Sequence, residues 1–244
     1  LAVTGTGITT GDYTLSSSII NIPNGGTTGT RTFTIVNDTL VEGTETATIA
    51  ISSISSGLLL GSTTSQTVTI TDNDFPRVNL SVSTNTGSEA GTTIITVTAN
   101  ASDPVIGNQT VDLAITGTGI TSEDYNLSNS TITFLNGQTT GTVTFTVIND
   151  DLIEGTETAT LTLTNPSSGL VLGSTTSQNI ILTDNDFPSV NLSVSSNSGS
   201  EAGTTIVTVT ATASSIVLGN QTIGVEIAGI GITPSDYSLS NSII

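Results

Sequence analysis

The sequence predicts an all-β protein: tandem seven-stranded antiparallel β-sandwiches of immunoglobulin-like architecture, built on a 112-residue repeat. Three observations lead there. Segments recur at one fixed offset: Asp12-Tyr13 returns as Asp124-Tyr125 and Asp236-Tyr237, and Glu42-Gly43-Thr44-Glu45 as Glu154-Gly155-Thr156-Glu157. Residues 1–132 laid on 113–244 without a gap match at 88 positions, so the period is domain-sized rather than that of a 20–50-residue solenoid. Apolar residues alternate with polar ones at period 2, and no helical period is visible.

The complete repeat, 75–186, shows the strands in order. Val78, Leu80 and Val82 alternate with polar residues, followed by Ile94-Ile95-Thr96-Val97 and then Val111, Leu113 and Ile115. Ile132 and Phe134, then Val143, Phe145 and Val147, then Ala159, Leu161 and Leu163 continue the pattern, and Ile180-Ile181-Leu182 closes it. Turn formers stand between them: Asn85-Thr86-Gly87, Asp103-Pro104, Asn136-Gly137, Asn165-Pro166 and Ser168-Gly169. Seven short strands in about 110 residues suit a two-sheet sandwich. Residues 1–74 read as the C-terminal two-thirds of such a repeat and 187–244 as the N-terminal half of a third, so neither is expected to fold properly alone. The chain reads as an excerpt from a longer array.

Composition narrows the function. There are 20 acids against Arg31 and Arg77, for a net charge of −18. His, Cys, Met, Trp and Lys are absent. Thiolate and imidazole chemistry, Schiff bases and zinc thiolate sites are therefore excluded. Nucleic acid is not an expected partner, because its affinity depends on Lys and Arg neutralising phosphates. No apolar run reaches the roughly 20 residues that span a bilayer.

The acids follow a parity. If each strand reverses the one before, the turns after the first, third, fifth and seventh strands share one end of the sandwich. Glu89, Asp124, the group Asp150, Asp151, Glu154 and Glu157, and the pair Asp184 and Asp186 fall in those four segments. Only Asp103 falls at the other end. Two like charges about 4 Å apart cost on the order of 1 kcal/mol in water and several times that near a protein surface. Protonation, a splayed end, or bridging divalent cations can resolve the repulsion. Asp and Asn also cap turns, and a single Asp-Asn-Asp carries little weight alone. Convergence of four acidic segments favours calcium, which takes 6–8 oxygen ligands. Zinc and copper would call for His or Cys.

Ser88-Glu89, Asp124-Tyr125, Asn149-Asp150-Asp151 with Glu154 and Glu157, and Asp184-Asn185-Asp186, in this order and size, resemble the Calx-beta repeat. That family occurs in sodium–calcium exchangers, integrin β4 and tandem arrays of large bacterial surface proteins. The resemblance implies several calcium ions clustered at the end next to the following domain. Their ligands would be Glu89, Asp124, Asp150, Asp151, Glu154, Glu157, Asp184 and Asp186, with the carbonyl near Leu152. By the same offset the first repeat offers Asp12, Asp38, Glu42, Glu45, Asp72 and Asp74 but no Ser-Glu turn. Thr39 stands where Asp151 does, which predicts fewer or weaker ions there. The third offers Glu201 and Asp236 alone.

Only Phe187-Pro188 separates Asp186 from the next strand, far from a flexible Gly/Ser linker. The leading expectation is a calcium-binding structural or adhesive module of an extracellular or cell-surface rod, stalk or filament. Calcium at the inter-domain end would stiffen the array, with neighbouring repeats as partners and fibre assembly as an extension. A calcium-sensing regulatory domain, as in the exchangers, is the alternative; it would require micromolar sites. An enzyme is not expected: with 3 Tyr, 5 Phe and no Trp, a carboxylate pair such as Glu154 and Glu157 lacks aromatic platforms for sugar rings.

Overall fold

The computed structural model describes all 244 residues, and every regular element in it is a strand. The first repeat contributes β1 (Ala2–Thr6), β2 (Tyr13–Leu15), β3 (Phe33–Ile35), β4 (Glu45–Ala50) and β5 (Ser65–Ile70). The central repeat follows with β6 (Arg77–Val82), β7 (Thr86–Ser88), β8 (Ile94–Ala101), β9 (Gln109–Thr118) and β10 (Tyr125–Leu127). It continues through β11 (Thr131–Phe134), β12 (Thr140–Val147), β13 (Thr156–Thr164), β14 (Val171–Leu172) and β15 (Ser177–Thr183). The third repeat holds β16 (Val190–Val194) and β17 (Val209–Ala213).

The central repeat is a sandwich of two five-stranded sheets, ordered β10-β12-β8-β6-β14 and β11-β9-β13-β15-β7. All seven expected strands are present. The alternating residues face inward because a strand's side chains point to opposite faces in turn: on β13, Glu157, Ala159, Leu161 and Leu163 are buried and the threonines between them are only partly so. A cluster of 19 buried residues fills the space between the sheets, and all of them lie between Val78 and Leu182. Phe145 stacks on Tyr125 with ring centroids 4.9 Å apart, and Phe33 stacks on Tyr13 at the same distance in the first repeat. Replacing fully buried Leu161 by Ala should cost about 3 kcal/mol through lost transfer energy and the cavity left behind. Urea unfolding would show it, and a loss below about 1 kcal/mol would contradict the packing described.

Two edges depart from pure antiparallel pairing. β7 lies parallel to β15 and β14 parallel to β6. The chain entering the repeat crosses from one sheet to the other between Val82 and Thr86, so β6 lies between β8 and β14 in one sheet while β7 edges the other, and each half meets one strand running its own way.

The flanking repeats carry less. The first forms a three-stranded sheet, β1-β4-β5, and a β2-β3 ribbon; the third forms β16-β17 and one bridge, Gly224 to Ile243. Ala47 and Ile70 are the buried apolar residues of the first, while Leu59 is 96% exposed. In the third, Ile206, Ile216 and Ile230 are all open to solvent.

Candidate metal centre

Strand register brings the acidic segments together. Thr158 of β13 pairs with Thr118 of β9, and Thr183 of β15 pairs with both Thr156 and Ser88. The exits of β7, β9 and β15 and the entry of β13 therefore share one end. The main chain fastens the remaining loops there: the Ile148 N–H donates to the Asp124 carbonyl (2.9 Å) and the Glu89 N–H to the Thr183 carbonyl (3.1 Å).

Burial is the distinguishing feature. Glu157 occupies the inward phase of β13, directly in line with Ala159 and Leu161, so its carboxylate caps the hydrophobic core instead of reaching solvent. Glu89 is 2% exposed, Asp124 2% and Glu157 4%. In the first repeat Asp12 and Glu45 are buried in the same way. Gly119 makes room for Glu157: at φ +82° it adopts a conformation that favours glycine, and a Cβ there would sit 2.9 Å from Glu157 Oε1.

Three groups of carboxylates each bring ligand oxygens within 4.8 Å of one another. They are Glu89, Asp184 and Asp186; Asp124, Glu154 and Glu157; and, in the first repeat, Asp12, Glu42 and Glu45, which reproduces the second group at the 112-residue offset. The central repeat thus holds two groups and the first repeat one. Asp150 and Asp151 stand outside the groups but close enough to raise the pKa of Asp186 after desolvation and Asp184. Asp38, Asp72 and Asp74 line a cavity of about 130 Å³ together with Asp12, Glu42 and Glu45. Glu201 and Asp236 join no group; both are exposed, and Asp236 accepts hydrogen bonds from Thr233 instead.

Two classes of carboxylate emerge. Asp184 accepts backbone N–H bonds from Glu154 (2.8 Å), Gly155 (2.9 Å) and Asp186 (2.6 Å). Desolvation pushes its pKa up, but these donors outweigh it and hold it below the ordinary value; Asp72 behaves alike. Glu89 and Glu157 lack such donors. Desolvation first, then Asp184 and Glu154 for Glu89, and Asp124 and Glu154 for Glu157, push both to about 7. Glu154 is raised for the same reasons.

The buried oxygens Glu89 Oε2, Glu157 Oε2, Asp186 Oδ2 and Asn185 Oδ1 have no hydrogen-bond partner. A buried polar atom left unpaired costs roughly 1–3 kcal/mol, more when charged. Four such atoms at one end, all oxygen acceptors, form a donor set suited to a hard cation rather than to zinc or copper. Asn185 is not among the residues that the sequence singles out. Its position between two candidate acids, in an Asp-Asn-Asp present in both repeats, is the signal that could have found it. Changing Glu157 to Gln should weaken the group it shares with Asp124 and Glu154 at least tenfold. Without calcium the same change should raise the melting temperature by relieving a desolvated charge. Calorimetric titration and paired melts check both, and an unchanged affinity would remove Glu157 from the ligand set.

A cavity of about 670 Å³ lies at the joint between the central and third repeats, with Ile153, Gly155, Asp184 and Asp186 of the central repeat on one side. Val190, Ala211, Val217 and Ile223 line it, the counterparts of core residues Val78, Ala99, Val105 and Val111. Its third-repeat side is the open inner face of the β16-β17 sheet.

A family model described as Calx-beta domain matches residues 2–74 and again 72–186. No curated protein matches the chain. Among solved structures, an apo-form Calx CBD1 domain aligns at 21% identity over 46% of this chain and 100% of its own, with TM-score 0.38. CBD12 from CALX1.2 aligns at 20% over 45% of this chain and 44% of its own, TM-score 0.39. A putative carbohydrate binding protein from Bacteroides ovatus aligns at 10% over 49% and 40%, TM-score 0.37. The chain spans less than half the length of the latter two.

Proposed function

This chain belongs to the Calx-beta domain family, and from that premise we propose that it is a calcium-binding structural module in which occupied acidic ends stiffen a tandem array. The observation that carries the reading is the set of buried, unpartnered carboxylate oxygens of Glu89, Glu157 and Asp186 at the end that meets the next repeat. Glu89, Asp184 and Asp186 would hold one ion and Asp124, Glu154 and Glu157 another, with Asp150 and Asp151 adding charge beside them. In the first repeat Asp12, Glu42 and Glu45 would hold one, supported by Asp38, Asp72 and Asp74. Calcium supplies the positive charge that no Lys provides, neutralising carboxylates that otherwise repel.

The residues themselves set the joint. Asp184 is anchored to the backbone of Glu154 and Gly155, and two residues later Asp186 leads through Phe187 and Pro188 into the next repeat. Ordering the acidic end therefore orders the exit of the chain. We place the array outside the cell or on its surface, where millimolar calcium fills even weak sites, as a rod, stalk or adhesive filament whose copies associate. No helix is long and apolar enough to cross a membrane. The binding groups serve structure in this reading, not catalysis.

Small-angle scattering of the whole chain tests it. The maximum dimension should lengthen in millimolar calcium and shorten with chelator. An identical profile in both would overturn the stiffening role, and micromolar affinity in a parallel titration would favour a sensor over a scaffold.

A further inference from the structure

The two joints share a contact that lies outside the strand ladders and the metal groups. Gly43, in the Glu-Gly-Thr-Glu segment of the first repeat, has φ +80°, and a Cβ on it would lie 2.8 Å from Ile106 Cδ1 of the second. One period later Gly155 has φ +85°, and a Cβ there would lie 2.9 Å from Leu218 Cδ1 of the third. Apart from its chain neighbours, no other residue would come within 4 Å of a Cβ on either glycine. The bare face of each glycine is thus covered by an aliphatic side chain from the following repeat, at a site where the positive φ favours glycine and a Cβ would push the covering methyl aside.

The loop holds the covering side chain out. Val105 is buried in the core, which turns the next residue outward, and Ile106 remains 53% exposed. Gln109 Nε2 donates to the Ile106 carbonyl (2.7 Å), and Gln221 Nε2 repeats this to the Leu218 carbonyl (2.9 Å). Val41, Phe75 and Pro76 form an apolar cup around the first contact, and their counterparts Ile153, Phe187 and Pro188 surround the second. The glycine also faces the metal centre: the Gly43 N–H donates to Asp72 (3.0 Å) and the Gly155 N–H to Asp184 (2.9 Å).

We propose that Ile106 and Leu218 are inter-repeat latches, each docking its repeat onto the glycine and apolar cup at the acidic end of the repeat before it. One glycine touches the candidate ligand Asp through its N–H and the latch through its Cα, so order at the acidic end and docking of the next repeat become a single unit. The partner is the following repeat of the same chain. Coupling to calcium rests on the function proposed above; the docking itself rests on the contact alone.

The chain has no Cys, so spin labels at Thr67→Cys and Thr142→Cys report the distance between the first and second repeats directly. In calcium the parent should give a narrow distance distribution. Ile106→Ser should at least double its width, while Ile106→Leu, which copies the residue at 218, should leave it unchanged. Calcium stoichiometry by calorimetry should stay the same in all three, because Ile106 is no ligand, and melting curves should agree within a few degrees because the side chain is half exposed. An Ile106→Ser distribution as narrow as the parent's overturns the latch. A parent distribution insensitive to calcium overturns the coupling and the stiffening function beneath it, yet broadening by Ile106→Ser would still establish the latch.

Discussion

Adding saturating calcium to the chelator-treated protein should raise the melting temperature of its central repeat by about 20 °C. An ion bound only to the folded state at 100 times its dissociation constant stabilises by about 2.7 kcal/mol. The central repeat offers two carboxylate groups, so two ions contribute about 5 kcal/mol. For a domain of this size each kcal/mol moves the midpoint by roughly 4 °C. The effect is large because the repeat has neither disulfides nor Lys to offset the charge at that end. Scanning calorimetry of the whole chain with calcium and with chelator measures it. A shift of only a few degrees would mean that the carboxylates are no more than a solvated surface.

Acidification should act in opposite directions with and without the metal. In calcium-free buffer, moving from pH 8 to pH 5 stabilises the protein. Glu89 and Glu157 are raised from 4.5 to about 7 in the fold, chiefly by desolvation and then by neighbouring acids. A carboxyl whose folded pKa is raised contributes stability that is full below its unfolded pKa and lost as pH rises through the folded one. The window is therefore about 4.5 to 7, and the gain is on the order of 1 kcal/mol once residual water access is discounted. Asp72 and Asp184 have lowered values, so their opposite contribution is lost only below their ordinary range, outside this window. In calcium the same protons compete with the ion. Between pH 7 and 5 a group that must lose one such proton binds about 50-fold more weakly, about 2.3 kcal/mol per ion. The two melting-temperature profiles should converge as pH falls. Parallel profiles would show that Glu89 and Glu157 do not face the metal.

The pattern of strands and acids was legible because its causes are local. Glu157 falls in phase with Ala159, Leu161 and Leu163, which already marks a carboxylate aimed at the core. Alternation located the seven main strands but not β7, β10 or β14, which are two or three residues long and owe their pairing to edges supplied from elsewhere. Parity placed eight acids at one end, yet it could not sort them. Which carboxylates are held by backbone N–H groups, as Asp184 is, and which are buried without donors, as Glu89 is, depends on distances that only the folded chain sets. The docking of Ile106 was unreadable for a similar reason. An aliphatic residue in a turn carries no mark of a partner that lies in the preceding repeat.

The parallel pairing of β7 with β15 has a mechanical consequence. The chain enters the repeat through β6 and β7 and leaves from the end of β15, and Thr86, Gly87 and Ser88 run alongside Ile181, Leu182 and Thr183. Tension applied along the array pulls these two strands past each other lengthwise. Their cross-links, including Ile181 N–H to the Asn85 carbonyl (2.9 Å) and Glu89 N–H to the Thr183 carbonyl (3.1 Å), are then loaded together instead of opening one after another like a zipper. A pulled array would resist at the seam between the first and last strands of each repeat, and the carboxylate of Glu89 sits at the end of that seam.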